Sequence, residues 1–481
     1  MTDTSNRKQA IVIGGGIAGL TTCYRLVTKS ATLGIPLDVK LLEAGDRVGG
    51  AIHTSNQDGF IIEHGPDVFI STKPWAKALS EELGIADQFL GTNPKQRRSF
   101  VLRKGKLYPV PDGFYLMAPA SFMPFVKTPI FSWGGKLRMG LDWVIPRRRS
   151  DEDESLEGFI TRRLGKEAFT RIAQPMIGGI YTADGKDLSL KATMPQFLEM
   201  EKQHGSIIKA LVARQKESRG GASGTSGARY SLFLSFKDGM QTLTDTLAER
   251  LPDECIQLGT KVSSLDYQNE KEKWDIHLAN GDQIESDLVC VALPAHRAAD
   301  LVKTVAPSLS ESLVSIPYAS SAIVNLAFRR ADIEHPLNGA GFVVPAVEER
   351  SIIACTFSSV KLEGRAPEDY ALLRAYVGGA GSKGETYFNR SESEIVESVL
   401  KELHELLGVR GDPQLALVYK HPNTMAQYHL GHLDLVAEIE AQAKKLPGFA
   451  LAGNAYHGIG IPDCINSGEK AAALLLEQGL K

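Results

Sequence analysis

Long apolar runs are missing from this chain. No stretch of the 481 residues reaches the roughly 20 consecutive apolar positions needed to cross a bilayer. The opening residues Met1-Thr2-Asp3-Thr4-Ser5 are polar where a secretion signal is apolar, so a cytoplasmic protein is expected. Cysteine is scarce too. The five present, Cys23, Cys255, Cys290, Cys355 and Cys464, are odd in number and widely scattered, with neither zinc spacing nor a disulfide framework, which fits a reducing compartment. The 11 histidines contain no His-x-x-x-His pair, so no metal site is expected, and His53, His64 and His457 are read as structural or supporting residues. An excess of one charge is also lacking. With 54 basic against 57 acidic residues the net charge is -3, which argues against nucleic acid as the main partner. The length exceeds what one hydrophobic core supports, so two or three domains are expected.

What is present begins at once. The strand Gln9-Ala10-Ile11-Val12-Ile13 runs into Gly14-Gly15-Gly16-Ile17-Ala18-Gly19 and an amphipathic stretch over 20–27. The first glycine permits a tight turn, Gly16 lets backbone approach a pyrophosphate, Gly19 lets helix pack on strand, and the phosphate charge meets a helix N-terminus. A second strand, Val39-Lys40-Leu41-Leu42, delivers Glu43 to ribose hydroxyls. Just beyond, Ala44, Arg47, Gly49, Gly50 and Ala51 grip the cofactor from a second side, which suits a firmly held FAD better than an exchanging nicotinamide. Gly65, Pro66, Asp67 and Val68 follow where backbone can pass close to a flavin ring.

The organisation along the chain is interleaved. Residues 75–90 are predicted to form a helix, and 99–108 a hairpin turning at Lys104-Gly105. From 109 to 217 the pattern is helical, with a charge run over 147–154 read as a solvated connection, and the Gly/Ser-rich 218–227 is predicted to be a flexible loop. Residues 236–243 begin a helix, and 261–265 begin a strand whose Val262 can bracket an adenine. A hairpin turns at Asn280-Gly281, and 287–293 is a buried strand ended by Pro294. Residues 320–419 alternate as an antiparallel sheet with one long helix over 392–407, and a last parallel strand over 449–454 leads through a Gly-Ile-Gly-Ile-Pro turn into a closing helix over 466–476. The expected fold class is α/β. A Rossmann-like FAD-binding domain (1–72, 228–296, 440–481) is interleaved with an antiparallel-sheet substrate domain (73–108, 297–439) and a helical insertion (109–217).

The glycine motifs, together with the terminal Gly458-Ile459-Gly460-Ile461-Pro462-Asp463-Cys464-Ile465, resemble the flavin amine oxidase superfamily. Gln174-Pro175-Met176-Ile177-Gly178-Gly179-Ile180-Tyr181-Thr182-Ala183-Asp184 with Leu188-Ser189 resembles, more narrowly, the porphyrinogen oxidase family, whose members oxidise protoporphyrinogen or coproporphyrinogen with FAD and dioxygen. The likeness covers nearly the whole chain, including Met425-Ala426-Gln427-Tyr428. It implies that Ile459, Gly460 and Ile461 line the flavin, and that His421 stands where relatives place a tryptophan. It further implies that members specific for protoporphyrinogen carry a carboxylate-binding arginine where this chain has Ser99, and that Ser99, Lys73 and the Phe125-Val126-Lys127 segment look more like the bacterial coproporphyrinogen oxidases.

A porphyrinogen passes hydride from a meso carbon to flavin while a pyrrole proton leaves, so the cofactor does the hard step and no single catalytic side chain is expected. Candidate substrate residues are Lys73, Ser99 and Tyr181, with Lys127 and Arg98 as further cations for propionates. FAD is expected to be held without a covalent link, because Asn454-Ala455-Tyr456-His457-Gly458 lacks the cysteine of covalent relatives. Protoporphyrinogen oxidase, flavin amine oxidase, carotenoid desaturase and a non-enzymatic flavin-binding scaffold are the alternatives. Oligomeric state and peripheral membrane contact through the aromatic 114–143 segment stay open at this point.

Overall fold

The computed structural model describes residues 7–115, 118–119, 121–220, 232–380 and 382–479. The chain opens with β1 (Lys8–Ile13), the glycine turn, α1 (Ile17–Leu33) and β2 (Leu37–Leu42). Residues alternate between two cores as a strand requires: Ala10 and Val12 pack toward one hydrophobic cluster, Ile11 and Ile13 toward another. Next comes α2 (Pro74–Glu82), with proline in its first turn. The helix expected over 75–90 is cut short at Gly84, which adopts φ +79, and Phe89–Gly91 instead forms a strand against Phe233–Phe236. The hairpin is β3 (Ser99–Arg103) with β4 (Lys106–Pro109); Lys104 and Gly105 take positive φ of 48 and 73, as a two-residue turn requires.

The helical insertion carries α3 (Phe122–Lys127), α4 (Trp133–Gly140) and α5 (Gln174–Tyr181), the last preceded by a π-helical turn at Phe169–Ala173. It is not wholly helical, since Phe114–Tyr115 pairs with Ala118–Pro119. Residues 218–220, expected in a loop, continue the helix Ile207–Gly220, and 221–227 lie outside the described residues.

The return of the chain supplies β5 (Ile256–Gln257), β6 (Val262–Gln268) and β7 (Leu288–Val291). Phe236 ends a strand rather than starting a helix, because Gly239 at φ +101 breaks the path before the helix Gln241–Glu249. Then follow β8 (Tyr318–Arg329), β9 (Gly341–Val343), β10 (Ala354–Phe357), β11 (Tyr370–Gly378), α6 (Glu392–Leu407), β12 (Leu415–Ala426), α7 (His432–Ala443), β13 (Phe449–Leu451) and α8 (Ile461–Gly479). The closing helix therefore begins five residues earlier than expected. Pro462 sits inside its first turn, where a missing N–H costs nothing.

Five strands form a parallel sheet in the order β5-β2-β1-β7-β13. Seven form a second sheet, β12-β8-β11-β10-β9-β3-β4, antiparallel except where β9 runs parallel to β3. Helices α1 and α8 cross at Gly468, where a side chain would come within 2.4 Å of the Ala18 carbonyl oxygen. Arg25 secures that crossing through Glu469 and Glu82, each at 2.7 Å. The crossing sets Gly468 of α8 against the first turn of α1.

Candidate functional site

At the dinucleotide end, backbone meets backbone. Gly14 adopts φ +106, and a side chain on it would lie 2.6 Å from the Ala292 carbonyl oxygen; one on Gly19 would lie 1.9 Å from that of Gly14. Gly16 is different. Nothing lies within 4 Å of where its side chain would stand, so open space fronts α1. The first turn of that helix holds no acidic residue, and its unpaired N–H groups and dipole favour an anion. This cradle fits the diphosphate of a dinucleotide.

The second loop seals the first. Gly49 N–H donates to the Gly15 carbonyl at 2.8 Å, and the Glu43 carboxylate accepts from Gly15 N–H at 2.6 Å and from Gly45 N–H at 2.7 Å. Each Glu43 oxygen retains a lone pair for a ribose hydroxyl. Arg47, expected to grip phosphate, is spent on its own loop: it donates to the carbonyls of Val48, Ile52 and Gly50 at 2.9, 3.1 and 2.7 Å. Thr260 N–H donates to the Glu43 carbonyl at 2.8 Å, which brings Val262 and the start of β6 to the same edge.

Beneath the 65–68 segment lies a buried charge network that sequence reasoning missed. A side chain on Gly65 would lie 1.7 Å from the Ala51 carbonyl oxygen, and the Gly65 carbonyl accepts from Arg374. Asp67, expected against the cofactor, is buried; Lys361 donates to it at 2.7 Å and Arg374 stands 3.5 Å away. Burial alone would raise its pKa, but these two cations outweigh burial and hold it at about 2. Glu63 accepts from Met240 N–H at 2.9 Å and from Thr54 at 2.8 Å, with Arg365 3.8 Å away, and burial still raises its pKa. Arg374 was detectable in principle as the one charged residue in the apolar strand Ala371-Leu372-Leu373-Arg374-Ala375.

His421, on β12, donates through Nε2 to the His64 carbonyl at 2.7 Å. His64 stacks on Tyr419 with ring centroids 3.6 Å apart and lies 3.8 Å from His53. Burial lowers the pKa of all three histidines, and Arg47 adds to it in each case, so they are neutral at pH 7.

The C-terminal turn closes the site. Gly458 adopts φ +142 against Asp463, and its N–H donates to the Tyr428 hydroxyl at 2.7 Å, which in turn donates to the Asn454 carbonyl at 2.7 Å. Ile459, Gly460 and Ile461 lead from this turn into α8. Lys73, expected to meet propionates, is paired with Asp463 in the first turn of α8, at 2.6 and 2.7 Å to its two oxygens. Tyr181, at the end of α5, donates to the Thr193 carbonyl at 3.3 Å, and its own carbonyl accepts from Gln427 at 2.9 Å. Burial, then the charge of Asp463, pushes its hydroxyl to about 12. The segment singled out by resemblance thus meets the C-terminal turn. Ser99, on β3, pairs with Gly341 of β9, the strand against which α5 packs.

The sequence profile of the family described as flavin containing amine oxidoreductase matches residues 17–476. The chain belongs to this family. It is an FAD-dependent oxidoreductase. A coproporphyrinogen III oxidase of Bacillus subtilis is 34% identical over 98% of both chains. Protoporphyrinogen oxidase 2 of Arabidopsis thaliana is 28% identical over 98% of this chain and 94% of its own. A crystal structure from Exiguobacterium sp. 255-15, 27% identical, superposes with a TM-score of 0.84 over 98% of this chain and 99% of that one.

The histidine cluster makes stability pH-dependent in a defined direction. His64 is lowered from 6.5 to about 4 by burial first, then by His53, Arg47, His421 and Arg374. The unfolded chain therefore takes up the proton before the folded one does. Stability from this group is full above about 6.5 and is lost as pH falls toward 4. Urea unfolding at pH 7 and pH 5 should show the loss, and His64→Gln should reduce it, leaving the shares due to other lowered histidines, among them His53, His421 and His432. Equal losses in parent and variant would contradict this account.

Proposed function

We propose that this enzyme oxidises coproporphyrinogen III to coproporphyrin III in haem biosynthesis, with dioxygen as electron acceptor and peroxide as co-product. The observation that carries the reading is the tie between the 174–184 segment and the C-terminal turn: Gln427 donates to the Tyr181 carbonyl, and its neighbour Tyr428 bonds Asn454 and Gly458. That segment is where the chain most resembles porphyrinogen oxidases, and the full-length likeness to the Bacillus subtilis coproporphyrinogen III oxidase supports the same reading. FAD, when bound, supplies the hydride acceptor for each two-electron step. The chain's own residues bind, orient and exclude water: the cradle at Gly16 takes the diphosphate, Glu43 the ribose, and the 65–68 backbone and the turn over 459–461 border the ring. No side chain at the site needs to act as a general base. Cys464 is buried within α8, so FAD is held by non-covalent contacts alone. We assign 1–72, 228–296 and 440–481 to the FAD-binding domain, 73–108 and 297–439 to the substrate domain, and 109–217 to the helical domain. With all five cysteines free, the reading places the chain in a reducing cytoplasm.

Substrate choice follows from charge. Coproporphyrinogen III carries two more propionates than protoporphyrinogen IX, and no arginine stands at Ser99 to clamp a two-propionate substrate in an apolar slot. Lys73 is already neutralised by Asp463. The exposed Arg98 beside Ser99 and the exposed Lys127 remain to meet carboxylates at a wet entrance, where one contact is worth only about 1 kcal/mol. The measurement is kcat/KM for both substrates at low and high salt, with peroxide counted. Expected are a severalfold preference for coproporphyrinogen III that shrinks with salt, and about three peroxides per porphyrin because six hydrogens leave in pairs. A kcat/KM for protoporphyrinogen IX that equals or exceeds it at low salt, or quinone-dependent turnover without peroxide, would sink the reading.

No helix among the described residues is long and apolar enough to cross a membrane, yet one face is strongly apolar. Phe122, Met123, Trp133, Leu137, Trp143 and Val144 are all exposed, Phe122 to 75% and Leu137 to 74%. Lys136 lies 4.5 Å over the Trp133 ring and Lys209 5.6 Å over that of Trp143, with exposed Lys127, Arg147 and Arg149 nearby in sequence. Interfacial tryptophans ringed by cations complement an anionic lipid surface, and we assign this face to one. The protein should co-sediment with phosphatidylglycerol vesicles more than with phosphatidylcholine vesicles. Trp133→Glu with Leu137→Glu should abolish the difference; unchanged sedimentation of the variant, or none by the parent, would refute the assignment.

A further inference from the structure

Two cysteines that are 232 positions apart meet inside the FAD-binding half. The sulfur of Cys23, on α1, lies 3.3 Å from that of Cys255, in the turn entering β5. No other pair of thiols approaches in this way among the described residues. Both are buried, Cys23 completely and Cys255 to within 4%. Cys255 is the more reachable, because exposed Pro252, Asp253 and Glu254 lead into it and Glu254 holds a positive φ of 65. The two thiols are also unequal. Cys255 is lowered by its hydrogen bond with Cys23, while Cys23 is raised by the same bond and by burial, so one sulfur of the pair is the readier nucleophile.

We propose that Cys23 and Cys255 are a modification site, a dithiol that hydrogen peroxide converts to an intramolecular disulfide. The Cys255 thiolate attacks the O–O bond, forming a sulfenic acid and releasing hydroxide, which takes a proton to become water. The Cys23 sulfur then displaces the sulfenic oxygen, which leaves as a second water. Two thiols lose two electrons and two protons, and one peroxide becomes two waters. The position gives the bond a consequence. The Cys255 thiol donates to the Val39 carbonyl at 3.1 Å and its carbonyl accepts from Leu41 at 2.8 Å, so Cys255 is already knitted to the strand that carries Glu43. A disulfide to Cys23 staples that strand pair to the helix whose N-terminus fronts the diphosphate cradle, and slower release of FAD follows. The site stands whether or not the substrate is a porphyrinogen, since the peroxide can be supplied from outside.

The test treats the FAD-loaded full chain with hydrogen peroxide at neutral pH, alkylates remaining thiols and maps tryptic peptides without reduction. Oxidation of Met123, 59% exposed, serves as an internal gauge of exposure to oxidant. Expected are a linked Cys23–Cys255 peptide pair lighter by two hydrogens than the sum of its reduced parts and a denatured thiol count falling from five to three. FAD loss under dilution should slow severalfold, and reductant should reverse the change. Cys255→Ser should keep all of its four thiols and show no slowing. Oxidised Met123 with five thiols retained, or thiols lost as sulfinic acid without linkage, would overturn the proposal. Should the variant fail to fold, the peptide map of the parent chain decides alone.

Discussion

Contact between backbone and backbone at glycine is the constraint on which this molecule depends. Gly19 against Gly14, Gly65 against Ala51 and Gly468 against Ala18 each leave no room for a single methyl group. Together these contacts bring the start of α1, the segments at Ala51 and Gly65, and the middle of α8 into close register. Gly16 is the exception that gives the arrangement its use, because the space before it is open. The N-terminus of α1 then fronts an open volume suited to a negatively charged cofactor.

Side chains hold this backbone assembly in register from beneath. Asp67, Glu63, Arg374 and Arg365 are buried, with Lys361 half-buried beside them, and they pair with one another or with carbonyl groups. Breaking one partner in such a network costs far more than the network contributes net, since the remaining charge is stranded away from water. Its physical role is to fix the 65–68 backbone, and through β11 it ties that backbone to the antiparallel sheet. Lys73 with Asp463 repeats the device at the other edge, joining α2 to the C-terminal turn.

Much of this was legible in the sequence for a simple reason: glycine spacing, strand periodicity and helix entry are local. The unit from Lys8 to Glu43, the turn at Lys104-Gly105 and the long helix α6 all lie where local rules place them. What escaped were pairings between distant residues. Nothing near Lys73 reveals Asp463, and nothing near Cys23 reveals Cys255. Asp67 and Arg47 read as cofactor contacts because their neighbours are glycines, whereas their partners are a strand arginine, a lysine and loop carbonyls. The helix expected over 75–90 failed on a local feature, Gly84, that apolar periodicity outweighed.

The central claim is that a porphyrinogen, presented at the junction of the 174–184 segment and the C-terminal turn, reduces the bound flavin directly. Anaerobic mixing of the FAD-loaded protein with coproporphyrinogen III, followed by absorbance, tests that claim with no acceptor present. The account predicts that the yellow flavin band bleaches as porphyrin absorbance grows and that air restores it with release of peroxide. A flavin that stays oxidised with coproporphyrinogen III but bleaches with a primary amine would contradict it.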